Sequence, residues 1–441
     1  MLLEQDRDLV TAIRRSAKPL SGNATDFDPI LKVVGDSRFV LIGEATHGTH
    51  EFYRLRAQIT KRLITEKGFT AVLVEADWPD AYRINQFVRF ESDDDDAIDA
   101  LSGFQRFPAW MWRNADVLDF VGWLRNHNEH SPRAGFYGLD LYSLYASIRA
   151  VLDFLDRADP VAARQARNRY ACFDNFGYDM QAYGYTTSLG LSKSCEQEAL
   201  NQWMEMRRRS AEIARRDGRV VRDAIFFAEQ NARLVKNAEE YYRSMFRERI
   251  SSWNLRDIHM AETLDALVRH LGPQTKVVVW AHNSHLGDAR ATEMGQRGEL
   301  NLGQLVRERY GREATLVGFT THAGTVTAAS GWDCPAERKY IRPALHGSYE
   351  GLFHETDIPN FFLRLSEKEE STSALREPRL ERAIGVIYLP QSERASHYFH
   401  AQLPDQFDAV FHYDETRAVE PLERTGVWET GEVPETYPST L

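Results

Sequence analysis

The 441-residue sequence predicts an α/β protein: a mainly parallel central sheet flanked by helices, with a helical insertion and a smaller C-terminal α/β region. Three observations predict it. Short apolar runs recur that are continuous rather than alternating, as strands buried on both faces require. Segments with apolar residues at three- and four-residue intervals, the mark of one helix face, separate them. Turn or polar residues close most of the runs at their carboxyl ends.

Taken in order, Phe39-Val-Leu-Ile leads into Gly43-Glu44, and Thr70-Ala-Val-Leu-Val leads into Glu75-Ala-Asp77. Between them, Glu51 to Lys67 places Phe52, Leu55, Ile59 and Leu63 on one helical face, and Gly68 stops the helix. Strand, helix and strand make a right-handed βαβ unit, whose neighbouring strands would bring Glu44 and Glu75 together. Gly135-Phe-Tyr-Gly-Leu then runs into Asp140, and Lys276-Val-Val-Val-Trp-Ala into His282. Ala314-Thr-Leu-Val-Gly-Phe and Ala383-Ile-Gly-Val-Ile-Tyr complete the set of six predicted strands. The predicted organisation is an α/β core from 1–143 and 272–330, a largely helical insertion at 144–271, and a smaller α/β region at 331–441 that completes the core. Inside the insertion, Tyr170 to Lys193, with Phe173, Phe176, Tyr178, Tyr183 and Tyr185, reads as an ordered loop. The acidic stretch Asp93 to Asp96 reads as a solvated turn.

Hydrophobic residues make up 43% of the chain and charged residues 27%, which describes a globular protein rather than a disordered one. The formal net charge of −11 argues against non-specific nucleic-acid binding. Cys172, Cys195 and Cys334 form an odd, widely spaced set that implies neither a disulfide framework nor a metal motif. Cys172 and Cys195 are therefore expected to be structural thiols, in keeping with a cytoplasmic protein. Met1 to Leu20 lacks a secretory apolar core, and no run is long enough to predict a membrane span.

In a parallel sheet the carboxyl ends of the strands form the ligand crevice. Four predicted strand ends carry ionisable residues: Glu44 with His47, Glu75 with Asp77, Asp140, and His282 with His285. In Gly43-Glu-Ala-Thr-His-Gly48 the two glycines would permit a tight turn that exposes His47 at the helix start. Imidazole titrates near neutrality and serves as a general base, and either Glu44 or Glu75 would orient it. His282 and His285, three apart, offer further donors, although His-x-x-His alone is a weak metal motif. Arg54 and Arg56 follow His47; an irregular first turn would return Arg56 to the crevice, where it would orient a carboxylate or stabilise negative charge. The chain has no G-x-S-x-G elbow, no phosphate-binding P-loop and no G-x-G-x-x-G fingerprint. Activation of water by His47 is the chemistry that remains.

These pieces together resemble the erythromycin esterase family. The resemblance lies in Gly43-Glu-Ala-Thr-His-Gly with Glu51-Phe-Tyr-Arg-Leu-Arg56, in Glu75, and in Ala281-His-Asn-Ser-His285. Arg256-Asp257 with Met260 and Gly347-Ser-Tyr-Glu350 also look like family positions. The resemblance implies a hydrolase that needs no metal or other cofactor and opens the ester of a macrolide lactone, a small-molecule substrate. Under it His47 is the base on water, and Glu44, Arg56, Glu75, His282 and His285 complete the site. Two other readings remain: a metal held by the same Glu/His cluster, or a binding or biosynthetic accessory protein that uses the cleft without turnover.

Overall fold

The structure, a computed structural model, describes residues 4–130, 134–177, 179–213, 219–247, 249–365 and 370–431. Its eleven strands among the described residues are β1 Lys18–Pro19, β2 Phe39–Ile42, β3 Ala71–Asp77, β4 Gly135–Asp140, β5 Val277–Trp280, β6 Ala314–Ala328, β7 Glu337–Ile341, β8 Asn360–Arg364, β9 Arg379–Arg382, β10 Tyr398–Ala401 and β11 Ala409–Thr416. The main sheet runs β1-β8-β11-β6-β2-β5-β3-β4. From β11 to β4 every pairing is parallel. At the other edge β8 and β1 run antiparallel, and the far half of β6 folds against β7.

Side-chain alternation explains why the strands read as continuous apolar runs. Val40, Ile42, Val72, Val74, Val278 and Trp280 pack on one face with helices His50–Lys67, Trp78–Val88 and Ala115–His130. Phe39, Leu41, Leu73, Val277 and Val279 pack on the other, under helices drawn mainly from Leu144–Leu271. Successive residues of a strand point to opposite faces, so both parities must be apolar when both faces are covered. The helix His50–Lys67 ends at Gly68, whose φ of 71° is the left-handed cap conformation glycine adopts cheaply.

The structure corrects several expectations. Ala383–Tyr388 is not a strand: only isolated bridges, Thr46 to Ile384 and Ala329 to Ile387, join it to the sheet region, and it crosses the carboxyl ends instead. β8 and β11 supply the strands at that side. β2 and β3 are not neighbours, because β5 lies between them. Tyr170–Lys193 is helical over Ala171–Phe176 and Met180–Ser188, with Phe173 and Tyr183 buried; Tyr178 lies outside the described residues. Cys172 and Cys195 are joined in a disulfide with Cα atoms 5.9 Å apart, not separate thiols. Packing between helices brings together two cysteines 23 residues apart, and no sequence spacing announces that. Within the acidic stretch, Asp94 pairs with Arg83 and Asp96 caps the helix Ala97–Leu101, so two of the four carboxylates are held rather than simply solvated. Among the described residues no helix is long and apolar enough to cross a membrane.

Candidate active site at the carboxyl edge of the sheet

Ile42, Trp280, Val74 and Gly138 lie level across β2, β5, β3 and β4. One to three residues beyond that line come Glu44, His282, Glu75, Asp77 and Asp140, which explains why so many ionisable groups meet. The turn after β2 depends on close approach. A Cβ on Gly43 would lie 2.2 Å from Asn283 Oδ1, and one on Gly48 would lie 1.8 Å from the Thr327 carbonyl oxygen. Neither glycine has a positive φ, so they make room for Asn283 and β6 rather than supplying an unusual turn. The His47 amide donates to the Ile384 carbonyl at 3.2 Å, and the Tyr53 hydroxyl donates to the His47 carbonyl at 2.9 Å.

Of the two candidate carboxylates, Glu44 meets His47 Nδ1: its Oε1 lies 2.9 Å away. Glu75 Oε1 stands 3.9 Å from His47 Nε2 on the other side of the ring. Arg56 Nη2 comes within 2.7 Å of Glu44 Oε2, an ion pair that lacks aligned hydrogen-bond geometry. No irregular first turn is needed to place it. Tyr53 and Arg56, three apart on a regular helix, share one face, and the guanidinium lies 4.4 Å from the Tyr53 ring and 5.4 Å from Trp280. Arg56 is fully buried behind Glu44, away from the cleft wall.

Arg256, on the helix Arg249–Leu271, faces the cleft instead. It donates to Glu75 Oε1 at 2.7 Å and to Asp140 at 2.7 and 3.0 Å, while its Nη1 lies 3.0 Å from His285 Nε2. His285 Nδ1 contacts Asp257 at 2.9 Å, and the ring stacks on Trp253 at 4.6 Å. Arg106 pairs with Asp77 at 3.0 Å. Both arginines lie over the Tyr142 ring, at 5.0 Å for Arg256 and 4.8 Å for Arg106. Arg106, Tyr142 and Trp253 had no signal in the sequence. Arg256 and Asp257 had one, in their place among the family-like residues. As for a metal among Glu75, His47 and His285, Arg256 already supplies the positive charge there, and Glu44 and Asp257 hold the Nδ1 atoms.

Electrostatics divide the groups further. Burial alone would raise the Glu75 carboxyl, but His285, His47 and Arg256 outweigh it and hold it well below the usual carboxylate range. His282 is pushed down to about 3 by burial and by the neighbouring His47. Its Nδ1 accepts from the Ser284 amide at 3.2 Å, so the neutral ring carries its proton on Nε2. That Nε2 has no partner in hydrogen-bond geometry. Burial opposes charge on His285, yet Asp257 and Glu75 outweigh it and raise the ring. Asp80, on the cleft wall, is pushed up to about 7 by burial and by Asp77.

The cleft above these residues has a volume of about 770 Å³, within the range of small-molecule sites. Its walls mix apolar and charged groups, among them Phe107, Trp332, Met294 and Arg297, and Ala383 to Val386 closes one side. Fold and cleft together define an α/β protein with a buried cluster of histidines, carboxylates and arginines at the carboxyl edge of a parallel sheet. The sequence profile of the erythromycin esterase family matches residues 64–416, and the chain belongs to that family. It is 24% identical over 392 residues to YbfO of Bacillus subtilis (strain 168), named only provisionally as a hydrolase; the match covers 83% of this chain and 84% of that one. It is 22% identical over 431 residues to the type II erythromycin esterase of Escherichia coli, covering 90% of this chain and 94% of the relative. A solved structure of a mutant erythromycin esterase in its open conformation superposes with a TM-score of 0.67 at 16% identity, over 91% of this chain and 96% of that one, and so shares the fold. Family membership supports a hydrolase, esterase-like in kind, acting on a small molecule.

Proposed function

We propose that the protein hydrolyses an ester or lactone bond in a small molecule, with His47 as general base on water. The observation that carries this reading is the 2.9 Å contact between His47 Nδ1 and Glu44 Oε1. With Nδ1–H donating to Glu44, Nε2 keeps the lone pair that takes a proton. Glu75 lies 3.9 Å from that nitrogen, too far for a hydrogen bond and a suitable span for a water held by both. The water oxygen attacks the carbonyl carbon while its proton passes to Nε2, and the carbonyl π pair moves onto oxygen. As the tetrahedral adduct collapses, the C–O bond breaks and protonated His47 returns the proton to the departing alkoxide. Acid and alcohol result.

Roles for the other residues follow from position. Glu44 and Glu75 flank the imidazolium and lower the energy of that charged state. Arg256 and the Nε2–H of neutral His282 provide positive potential for the developing oxyanion, a kind of donor whose removal typically costs about 10²–10³ in rate. Arg56 acts through Glu44 as a positioning residue. His285, held by Asp257, fixes Arg256 and Glu75. Relatives named as erythromycin esterases make macrolactones the first substrates to assay.

The test is a paired screen of wild type and His47→Ala against macrolactones, simple lactones and aryl esters in heavy-oxygen water. Wild type should yield an acid carrying one solvent oxygen, and the variant should not. Comparable turnover by the variant sinks the assignment of His47. Saturable binding without turnover by wild type points instead to a binding protein. Chelator should leave the rate unchanged; loss restored by added metal in wild type and in His354→Ala alike would assign the chemistry to a metal held by the cleft.

A further inference from the structure

A second histidine–carboxylate group lies away from the cleft lining, where β6, β11 and the short helix Tyr349–His354 meet. His322, His354 and Asp414 each offer one ligand atom, and those atoms all fall within 4.8 Å of one another. We propose that this group binds a divalent transition-metal ion, with zinc as the representative case.

Four features carry the proposal. The donor set is two imidazoles and one carboxylate, the N/O combination that suits zinc and its neighbours. His322 Nδ1 is buried and has no hydrogen-bond partner, a state that costs free energy until something occupies it. The His322 and His354 rings lie face to face, 3.8 Å between centroids and 7° from parallel. Two imidazolium rings stacked this closely would repel, so the arrangement keeps at least one ring neutral; the lone pairs lie in parallel planes, so the half-exposed His354 ring must turn for both to reach one ion. Finally, Asp414 is already supported from behind: His412 Nε2 lies 3.3 Å from its Oδ1, and His412 Nδ1 lies 2.9 Å from Thr320 Oγ1. Outer partners of this sort orient ligating carboxylates in established metal sites.

Fit and access agree with this. Bonds of about 2.0 Å in a tetrahedron put ligand atoms about 3.3 Å apart, so the group must contract a little. His354 allows it, as the last residue of a six-residue helix with a side chain 46% exposed. Its Nδ1 already lies 2.9 Å from Asp414 Oδ2. Among Glu75, Asp140 and His285 an arginine bonds the side chains directly; here Arg382 lies nearby but donates to the Thr321 and His322 carbonyls, not to the three ligand side chains. The ion would tie the helix to both strands. The same helix carries Glu350, which accepts the Arg382 amide at 2.9 Å, one residue before the cleft wall at Ala383.

The experiment uses the full chain, stripped with chelator, desalted and titrated with zinc chloride under calorimetry, with thermal unfolding followed in parallel. Cobalt serves as a spectroscopic probe, since nitrogen and carboxylate ligation gives visible ligand-field absorption. The expected result is one saturable equivalent, a rise in Tm of several degrees, and a cobalt spectrum distinct from that of the aqueous ion. His354→Ala, at an exposed position, should lose all three, as should His322→Ala, while His47→Ala keeps them. No saturable uptake by wild type, or uptake that survives both His354→Ala and His322→Ala, overturns the site. Uptake that disappears in His47→Ala places the ion in the cleft and overturns it equally.

Discussion

Two histidine–carboxylate clusters lie on the carboxyl side of one parallel sheet, and they are built on opposite plans. Around His47 the groups are buried and their ring Nδ1 atoms committed: Glu44 to His47, Asp257 to His285, the Ser284 amide to His282. Arg256 sits inside that cluster and Arg56 behind it. Around Asp414 one imidazole is half exposed, one ring nitrogen has no partner, and the neighbouring Arg382 is bonded to the Thr321 and His322 carbonyls rather than to the ligand side chains. The contrast teaches that residue types alone do not define the chemistry. In the proposed readings, histidines and carboxylates bonded to arginines serve acid–base chemistry, because the cation position is already filled, and the same types without such an arginine bond leave a place for an ion.

The largest expected effect breaks the first plan at its base. His47→Ala should lower kcat by about 10²–10⁴, the usual worth of a general base, with the fold retained by circular dichroism although Glu44 loses a buried partner. Arg256→Met comes next. It leaves Glu75 and Asp140 buried without their cation, which should cost about 3–5 kcal/mol in urea unfolding. Glu44→Gln keeps a hydrogen-bond acceptor for His47 but removes the charge. A fall in kcat of about 10- to 100-fold with little change in KM is expected of an orienting partner; an unchanged kcat would return that role to Glu75.

A smaller effect concerns pH. Burial and the nearby Arg233 and Lys236 hold His259 well below its usual range, and His282 is held at about 3. In the unfolded chain both take up a proton near pH 6.5, whereas the folded rings do not. Stability is therefore fully present above about pH 6.5 and falls as the solution is acidified, by about 1.4 kcal/mol per pH unit for each ring. Urea midpoints across that range should show the slope, and His259→Gln should reduce it by one ring's share. The smallest effect belongs to the second cluster: in chelated protein His354→Ala should change stability by no more than about 0.5 kcal/mol, as an exposed substitution does.

Much of the fold was legible because its signals are local. β2 to β6 were found from apolar runs, and the helix His50–Lys67 from its periodicity and from Gly68. Ala383–Tyr388 misled because an apolar run records burial, not pairing, and this segment is buried in part by crossing the strand ends. Glu44, His47, Glu75, His282 and His285 were legible as a group because strand ends in register must converge. Arg106, Tyr142 and Trp253 were not, since helices and loops far along the chain deliver them.

By itself the sequence determined the α/β class, the covered sheet faces and the ionisable strand ends, all of which follow from side-chain periodicity and chain direction. Only the tertiary structure decided that Glu44 rather than Glu75 meets His47 Nδ1, and that Arg256 rather than Arg56 faces the cleft. It also paired Cys172 with Cys195 and gathered His322, His354 and Asp414. Each of those outcomes depends on which strands become neighbours and where the helices dock. Those contacts link distant parts of the chain, and no local pattern encodes them.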